Sequence, residues 1–272
     1  MIELTGKPIA ITGASSGIGR AVAVAAAKAG MPVALAARRT DRLESAAAEI
    51  RAAGGRAIAV KVNVDNPDEC RALIERTIAE FGSVYSVFAN AGYGFEKPIH
   101  EATDAEIRGI FETNFFGTLN TVRPALKPML QAKSGHIIIC SSCLSKLGLP
   151  GFGAYCATKA SQDHVSRAMR AELSPFGIAV SSVHPIGTRT EFFEKADALS
   201  GEGASTLHTP DFLTQSPERV ARAIMRNLRS GRGTEVWTSL GIRAGLILAN
   251  MAPRLTDAIF SRHVSKATRQ RR

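Results

Sequence analysis

The stretch Thr12-Gly13-Ala14-Ser15-Ser16-Gly17-Ile18-Gly19 follows a short apolar run and leads into an alanine-rich segment. Each glycine suits a strand-to-helix junction: Gly13 permits the tight turn, Gly17 allows the backbone to approach a pyrophosphate, and Gly19 allows close helix packing. The first-turn N–H groups and the helix dipole favour a negatively charged ligand here. With a strand before it and a helix after it, the loop predicts a dinucleotide-binding βαβ unit. A glycine-rich turn without a ligand is the alternative.

The rest of the chain alternates short apolar runs with longer segments of helical period. The strand-like runs are residues 8–12, 32–37, 57–62, 84–89, 136–141, 179–183 and 234–238, and the helix-like segments are 18–29, 41–53, 67–81, 104–131, 154–173 and 217–228. Strands that are apolar throughout are expected where both faces of a sheet are covered, and βα alternation implies parallel pairing. The sequence therefore predicts an α/β fold: a single-domain, Rossmann-type, doubly wound parallel sheet of about seven strands. We expect a catalytic domain over 1–239, with 240–272 as an extension of the same domain.

Two segments depart from this alternation. Residues 190–215 have neither period and contain glycine and serine, which predicts a mobile flap over a site. Residues 240–260 are strongly apolar, but Arg243, Pro253 and Arg254 make a membrane-spanning helix unexpected. We expect a C-terminal helix packed on the body or on another subunit. A helix lying on a membrane surface is the alternative, because a basic tail follows.

The composition is that of a folded globular protein, with 45% hydrophobic and 21% charged residues. Half of the net charge of +10 lies in residues 254–272, where six arginines and lysines face one aspartate. That run is either a solvated terminus or a weak peripheral contact with anionic lipid. A single tryptophan and the lack of basic-aromatic interleaving argue against a nucleic-acid partner. Four irregularly spaced cysteines and no secretory signal favour a reduced, cytoplasmic protein, and the histidines show no metal-ligand spacing.

The end of the second strand indicates which dinucleotide is bound. NAD-binding units usually place an acid there to hold the ribose 2′-hydroxyl. This chain instead has Leu35-Ala36-Ala37-Arg38-Arg39, with no acid before Asp41. A guanidinium can make charge-assisted, bidentate hydrogen bonds to a 2′-phosphate. The sequence therefore predicts NADP(H), held by Arg38 with help from Arg39, although Arg39 could also be a surface arginine.

Tyr155 and Lys159 are four residues apart in a helix-like segment, so both side chains can project into one site. A nearby cation favours the phenolate and lowers a tyrosine pKa, which is about 10 when unperturbed. Ser142 follows the strand-like run 136–141, and the carboxyl ends of strands are where doubly wound sheets bind ligands. These three residues predict an acid/base site.

The glycine loop, the Asn90-Ala91-Gly92 turn, Asn114, Ser142 and the Tyr155/Lys159 pair occur in the same order as in the short-chain dehydrogenase/reductase family, which the chain resembles over roughly residues 7–190. The resemblance implies that Tyr155 exchanges a proton with the substrate oxygen and that Ser142 orients that oxygen. It implies that Lys159 binds the nicotinamide ribose and lowers the Tyr155 pKa. It further implies that Asn114 holds a water that links Lys159 to solvent.

The resemblance also implies a set of cofactor-binding residues. They are Gly13, Ser15, Ser16, Gly17, Ile18, Gly19, Arg38, Arg39, Asn63, Val64, Asn90, Ala91, Gly92, Tyr155, Lys159, Pro185, Thr188 and Thr190. Two positions depart from the family pattern. Asn63 stands where the family often has aspartate, and Ile186 stands where it favours the glycine of a Pro-Gly pair.

The resulting hypothesis is an NADP(H)-dependent carbonyl reductase or alcohol dehydrogenase. Its substrate is expected to be a fairly apolar ketone or secondary alcohol, bound by Ser142, Leu144, Tyr155 and Phe192. The resemblance implies a homodimer or homotetramer. The alternative is a catalytically silent dinucleotide-binding sensor or scaffold, although such a protein would be expected to lack the tyrosine or the lysine.

Overall fold

Seven parallel strands form one sheet in the order β3-β2-β1-β4-β5-β6-β7. The computed structural model describes residues 1–200 and 214–270, with side chains up to Arg262. The strands are β1 (Ile9–Thr12), β2 (Val33–Ala37), β3 (Ala57–Lys61), β4 (Ser86–Ala89), β5 (Gly135–Cys140), β6 (Ile178–His184) and β7 (Glu235–Trp237). The strand order reverses between β1 and β4, and ligands bind doubly wound sheets above such a reversal.

Helices cover both faces of this sheet. They are α1 (Gly17–Lys28), α2 (Thr40–Ala52), α3 (Pro67–Phe81), α4 (Asp104–Phe111), α5 (Gly117–Ala132), α6 (Gly153–Leu173), α7 (Glu191–Ser200), α8 (Pro217–Ser230), α9 (Leu240–Met251) and α10 (Pro253–Gln270). A π-helix (Glu112–Phe116) joins α4 to α5, and 3₁₀ turns span Cys143–Lys146 and Ser174–Phe176.

Local signals fix the helix ends. The Asn66 side chain accepts hydrogen bonds from the N–H groups of Asp68 and Glu69, and Gly82 ends α3 in the left-handed conformation. These are ordinary N-terminal and C-terminal caps, which explains why α3 has the bounds that the sequence predicts.

The core lies on both faces of the sheet. Ile9, Ile11 and Leu35 pack into the cluster on one face, whereas Ala10 and Ala34 pack into the cluster on the other. Successive residues of a strand point to opposite faces, so strands that are covered on both sides are apolar at every position. The predicted single-domain, doubly wound parallel sheet of seven strands is confirmed.

Two segments differ from the prediction. The run 104–131, predicted as one helix, is divided by the π-helix. The start of the predicted flap is a regular helix, α7, and residues 201–213 of that flap lie outside the described residues. Functional residues are often found at such π-helical interruptions, and this one contains Asn114.

The C-terminal extension consists of two helices where one was predicted. The break lies at Ala252, which precedes Pro253. Proline disfavours helical geometry in the residue before it and has no N–H to continue a helix. Within the described residues, no helix combines the length and apolar character needed to cross a bilayer. The four cysteines are all free.

Candidate active site

A cavity of about 550 Å³ opens above the carboxyl ends of β1, β4, β5 and β6. It brings together nearly every residue that the sequence predicts for the site. Its lining includes Gly13, Ser15, Ser16, Gly17, Ile18, Arg38, Arg39, Asn63, Val64, Asn90, Ala91, Gly92, Ser142, Leu144, Tyr155, Lys159, Pro185, Thr188, Thr190 and Phe192. The two predicted residues that do not line it are Gly19 and Asn114.

The glycine loop forms the floor of the cavity between β1 and α1. Gly13 and Gly17 have φ angles of +67° and +55°, which glycine adopts most readily. A Cβ on Gly19 would lie 2.4 Å from the carbonyl oxygen of Gly13, so this position allows the predicted close packing of helix on strand. Asn90 Nδ2 donates to the Thr12 carbonyl oxygen (3.1 Å), which ties the end of β4 to the loop.

One end of the cavity is cationic. Arg39 donates to Ser15 Oγ (3.0 Å) and Ser16 Oγ (2.9 Å), whereas Arg38 is exposed at the cavity wall. Arg39 therefore contacts the glycine loop directly. The sequence predicted only that Arg39 would help Arg38 to hold a 2′-phosphate.

Sequence reasoning missed a carboxylate at this cationic end. Glu191, the first residue of α7, pairs with Arg39 (2.8 Å), Arg42 and Lys195 (3.2 Å). The hydrogen bond from Arg39 is the largest of several effects that hold the pKa of Glu191 at about 2. The Glu191–Lys195 spacing of four residues was a local signal for this pair. The pairing with Arg39 joins residues 152 positions apart, and no local pattern indicates it.

The opposite end of the cavity contains the three candidate catalytic side chains. Ser142 follows β5, and its Oγ accepts a hydrogen bond from the Leu144 N–H (3.1 Å). Tyr155 and Lys159 project from the first two turns of α6, with Lys159 Nζ 5.6 Å from the centre of the tyrosine ring. All three are buried. The Tyr155 ring packs against that of Phe192 on α7, with ring centres 5.6 Å apart.

Burial shifts the pKa values of Tyr155 and Lys159 in opposite directions. It raises the pKa of Tyr155 well above the usual tyrosine range, although a hydrogen bond with the Ser142 side chain acts in the opposite direction. Burial also lowers the pKa of Lys159. Removing the phenolate from water therefore sets the direction of the Tyr155 pKa shift, and the lowering expected from the Tyr155/Lys159 spacing stays a prediction.

Asn114 lies behind the cavity wall and is fully buried. Its side chain exchanges hydrogen bonds with the backbone N–H and carbonyl oxygen of Tyr93 (3.0 and 2.9 Å). The backbone carbonyl oxygen of Asn114 accepts a hydrogen bond from Gln162 Nε2 (2.6 Å). Gln162 Oε1 in turn accepts a hydrogen bond from Lys159 Nζ (2.9 Å). Gln162, which sequence reasoning missed, therefore links Lys159 to the backbone of Asn114, and the water expected at Asn114 stays a prediction.

A buried charged network supports Ser142 from behind. The His184 ring lies 3.1 Å from the Ser142 carbonyl oxygen and 3.3 Å from Asp163 Oδ1. Lys146 Nζ bonds to both Asp163 and Glu235. Asp163, His184 and Glu235 are close enough together to be considered as metal ligands, but the Lys146 ammonium supplies the positive charge that these carboxylates require.

Comparison with known proteins identifies the family. The profile described as short chain dehydrogenase matches residues 7–199, which is more than half of the chain. The chain belongs to the short-chain dehydrogenase family. An oxidoreductase of Listeria innocua is 33% identical over 226 residues, which cover 82% of this chain and 90% of that protein.

Two solved structures resemble this short-chain dehydrogenase closely. One is a Burkholderia phymatum family member in complex with NAD, with a TM-score of 0.83, 26% identity, and coverage of 94% of this chain and 97% of that one. The other is an alcohol dehydrogenase of Thermococcus sibiricus complexed with 5-hydroxy-NADP, with a TM-score of 0.74, 28% identity, and coverage of 85% and 95%. This short-chain dehydrogenase is therefore an oxidoreductase, and these two structural relatives are complexed with nicotinamide dinucleotides.

Proposed function

We propose that the chain is an NADP(H)-dependent oxidoreductase that interconverts a carbonyl group and an alcohol, with Tyr155 as the general acid/base. One observation carries this proposal: a single cavity has Ser142, Tyr155 and Lys159 at one end and Arg38 and Arg39 at the other. The lining fits a dinucleotide, because glycines replace side chains where a pyrophosphate would approach and arginines provide positive charge beyond it. The bound cofactor would supply or accept the hydride.

The three catalytic side chains have complementary roles. The phenol of Tyr155 is protonated at neutral pH, as any tyrosine with a pKa of about 10 or above would be, so its hydroxyl can donate a proton to a carbonyl oxygen during reduction. Ser142 Oγ accepts from Leu144 N–H, and its hydroxyl, which hydrogen-bonds Tyr155, can rotate to donate its hydrogen to that oxygen. Lys159 Nζ donates to Cys140 O and Gln162 Oε1, and its third N–H is available to a ribose hydroxyl.

The substrate is proposed to be a fairly apolar ketone or secondary alcohol. The wall beside the catalytic residues includes Leu144, Leu149, Phe152, Phe192 and Phe193. Such a surface favours apolar groups with a few polar atoms fixing their orientation. A panel of ketones of graded polarity, assayed with NADPH, tests this. Activity confined to small, charged ketones would contradict it.

The preference for NADP(H) rests on the end of β2. The two structural relatives carry different cofactors, so the family alone does not choose between them. Arg39 lies against Ser15 and Ser16, Arg38 lines the same cavity, and no acidic residue ends β2. Fluorescence titration with NADPH and NADH is the test. Tighter NADPH binding is expected, and tighter NADH binding would contradict the role given to the arginines.

A catalytically silent sensor or scaffold is the competing function. The two differ in the response to Tyr155→Phe, which removes only the phenolic hydroxyl. An enzyme should lose about 10²–10⁴-fold in turnover and should still bind NADPH. Wild-type protein that binds NADPH but turns over no carbonyl or alcohol in a broad screen would favour the sensor.

The remaining proposals concern partners and location. A homodimer or homotetramer is supported by membership of the short-chain dehydrogenase family, and light scattering coupled to gel filtration would measure it. A cytoplasmic location is supported by the free cysteines. We also propose a weak peripheral membrane contact through residues 240–272.

A further inference from the structure

The C-terminal helices α9 and α10 expose six large apolar side chains by more than half of their surface. These residues, called the C-terminal row, are Leu240, Ile247, Leu248, Met251, Leu255 and Ile259. Their exposed fractions run from 53% for Ile247 to 77% for Met251. Elsewhere in the described chain, exposed large apolar residues occur singly along the sequence, which is normal for a protein surface. Six within the twenty residues 240–259 instead indicate a binding surface.

Helix α9 has two apolar faces. Its inner face carries Ile242, Leu246 and Ala249, of which Leu246 is buried. Leu240, Ile247, Leu248 and Met251, at offsets of 7, 8 and 11 residues, fall on the opposite face of a helix with 3.6 residues per turn. Asn250 Nδ2 donates to the carbonyl oxygen of Lys146 (2.8 Å) and holds the helix in this orientation. The outward face is therefore left uncovered by the body of the protein.

Helix α10 extends the same chemistry and adds charge. Leu255 and Ile259 are one turn apart, and Arg262 follows on the same side. Residues 240–272 contain seven arginines and lysines and only Asp257 as an acid, a net charge of +6. Long cationic side chains can lay their stems along an apolar surface while their charged ends reach a polar boundary.

The positive charge of residues 240–272 distinguishes between two possible binding partners for the exposed face of α9 and α10: a second copy of the chain and a lipid bilayer. In a two-fold dimer the same patch contacts itself, so two stretches that each carry Arg243, Arg254 and Arg262 against Asp257 would meet, and like charges facing each other are unfavourable. A bilayer with anionic lipids satisfies both features. Apolar side chains enter the headgroup boundary, and lipid phosphates attract the arginines and lysines.

We infer that the C-terminal row docks the protein on an anionic lipid bilayer. This inference rests on the proposed peripheral membrane contact and is independent of the proposed reaction, because binding requires no turnover. Asn250 joins α9 to the 3₁₀ turn Cys143–Lys146, and Leu144 of that turn lines the cavity. Docking through the row therefore holds the apolar wall of the substrate cavity near the lipid.

Co-sedimentation of the full-length protein with vesicles tests the inference. We expect binding to vesicles of equimolar phosphatidylcholine and phosphatidylglycerol, little binding to phosphatidylcholine alone, and release by salt. The double variant Ile247→Ser/Leu248→Ser should lower the partition coefficient at least about tenfold, because two apolar side chains are lost from the boundary. Phe176→Ser, which changes a half-exposed apolar residue elsewhere, is the matched control and should bind as the wild type does.

A charge variant tests the second half of the argument. Arg254→Glu/Arg262→Glu should weaken binding about tenfold or more, whereas Arg76→Glu/Arg226→Glu, with the same change in net charge, should weaken it much less. An unchanged NADPH dissociation constant shows that each variant is folded.

Three results would overturn the inference. Equal sedimentation with both vesicle types would remove the anionic requirement and leave only the weak membrane contact. Sedimentation with neither would remove both. A lower oligomer mass for Ile247→Ser/Leu248→Ser, measured by light scattering, with no vesicle binding by the wild type, would make the row a subunit interface.

Discussion

Replacing Glu191 by glutamine should tighten the binding of NADPH and leave the binding of NADH unchanged. Glu191 presents a carboxylate to Arg39 and Arg42. Arg39 donates to the hydroxyls of Ser15 and Ser16 in the glycine loop, and Arg42 lines a pocket beside the same loop. A 2′-phosphate bound there would need the same positive groups. The ion pairs of Glu191 with Arg39 and Arg42 must then break when NADPH binds. NADH has no 2′-phosphate, so its binding leaves these ion pairs intact.

The structure sets the size of the effect. Both ion pairs are partly exposed, with about a third of the Arg39 and Glu191 side chains and nearly half of the Arg42 side chain accessible to water. Ion pairs with that exposure contribute about 0.2–1 kcal/mol each. Together the two ion pairs contribute about 1 kcal/mol. Their absence in Glu191→Gln should lower the dissociation constant for NADPH about fivefold. Because the pKa of Glu191 is held at about 2, the carboxylate stays ionised, and the effect should not vary with pH around neutrality.

Fluorescence titration of the wild type and Glu191→Gln with both cofactors measures this difference. Glu194→Gln removes an equal charge from an exposed position of the same helix and is the matched control. Weaker or unchanged NADPH binding by Glu191→Gln would refute the competition. An equal gain for NADPH and NADH would show that Glu191 hinders the site for a reason other than the 2′-phosphate.

Three further outcomes are expected. Arg39→Ala should weaken NADPH binding about tenfold, through the loss of a charge-assisted contact of roughly 1.5 kcal/mol, and NADH titration should show little change. Gly19→Ala should abolish binding of both cofactors in the same titrations, because its Cβ would lie 2.4 Å from the Gly13 carbonyl oxygen. Burial lowers the pKa of His136 to about 4, so between that value and the ordinary 6.5 only the unfolded chain takes up the proton, and stability falls as the pH falls. The wild type should lose about 2 kcal/mol from this histidine by pH 5, a loss that urea unfolding of His136→Gln should not show.

The sequence was sufficient for features that depend on short spacings. Apolar runs that alternate with helical segments implied a parallel sheet covered on both faces, since a strand residue contacts the core whichever way it points. The loop Thr12–Gly19 and the Tyr155/Lys159 spacing were readable because neighbouring residues share one turn or one helix face. Pro253 was a local signal for the end of α9, although a single C-terminal helix was predicted where the structure has two.

Tertiary structure decided the features that depend on burial and on distant partners. Burial, which no local spacing reports, raised the pKa of Tyr155. The contact of Arg39 with Glu191 and the bridge from Lys159 through Gln162 to Asn114 join separate elements. The identity of each residue limited which groups it could hydrogen-bond. Only the packing of α6 and α7 over the sheet determined which partners lie within hydrogen-bonding distance and which ionisable groups are buried away from water.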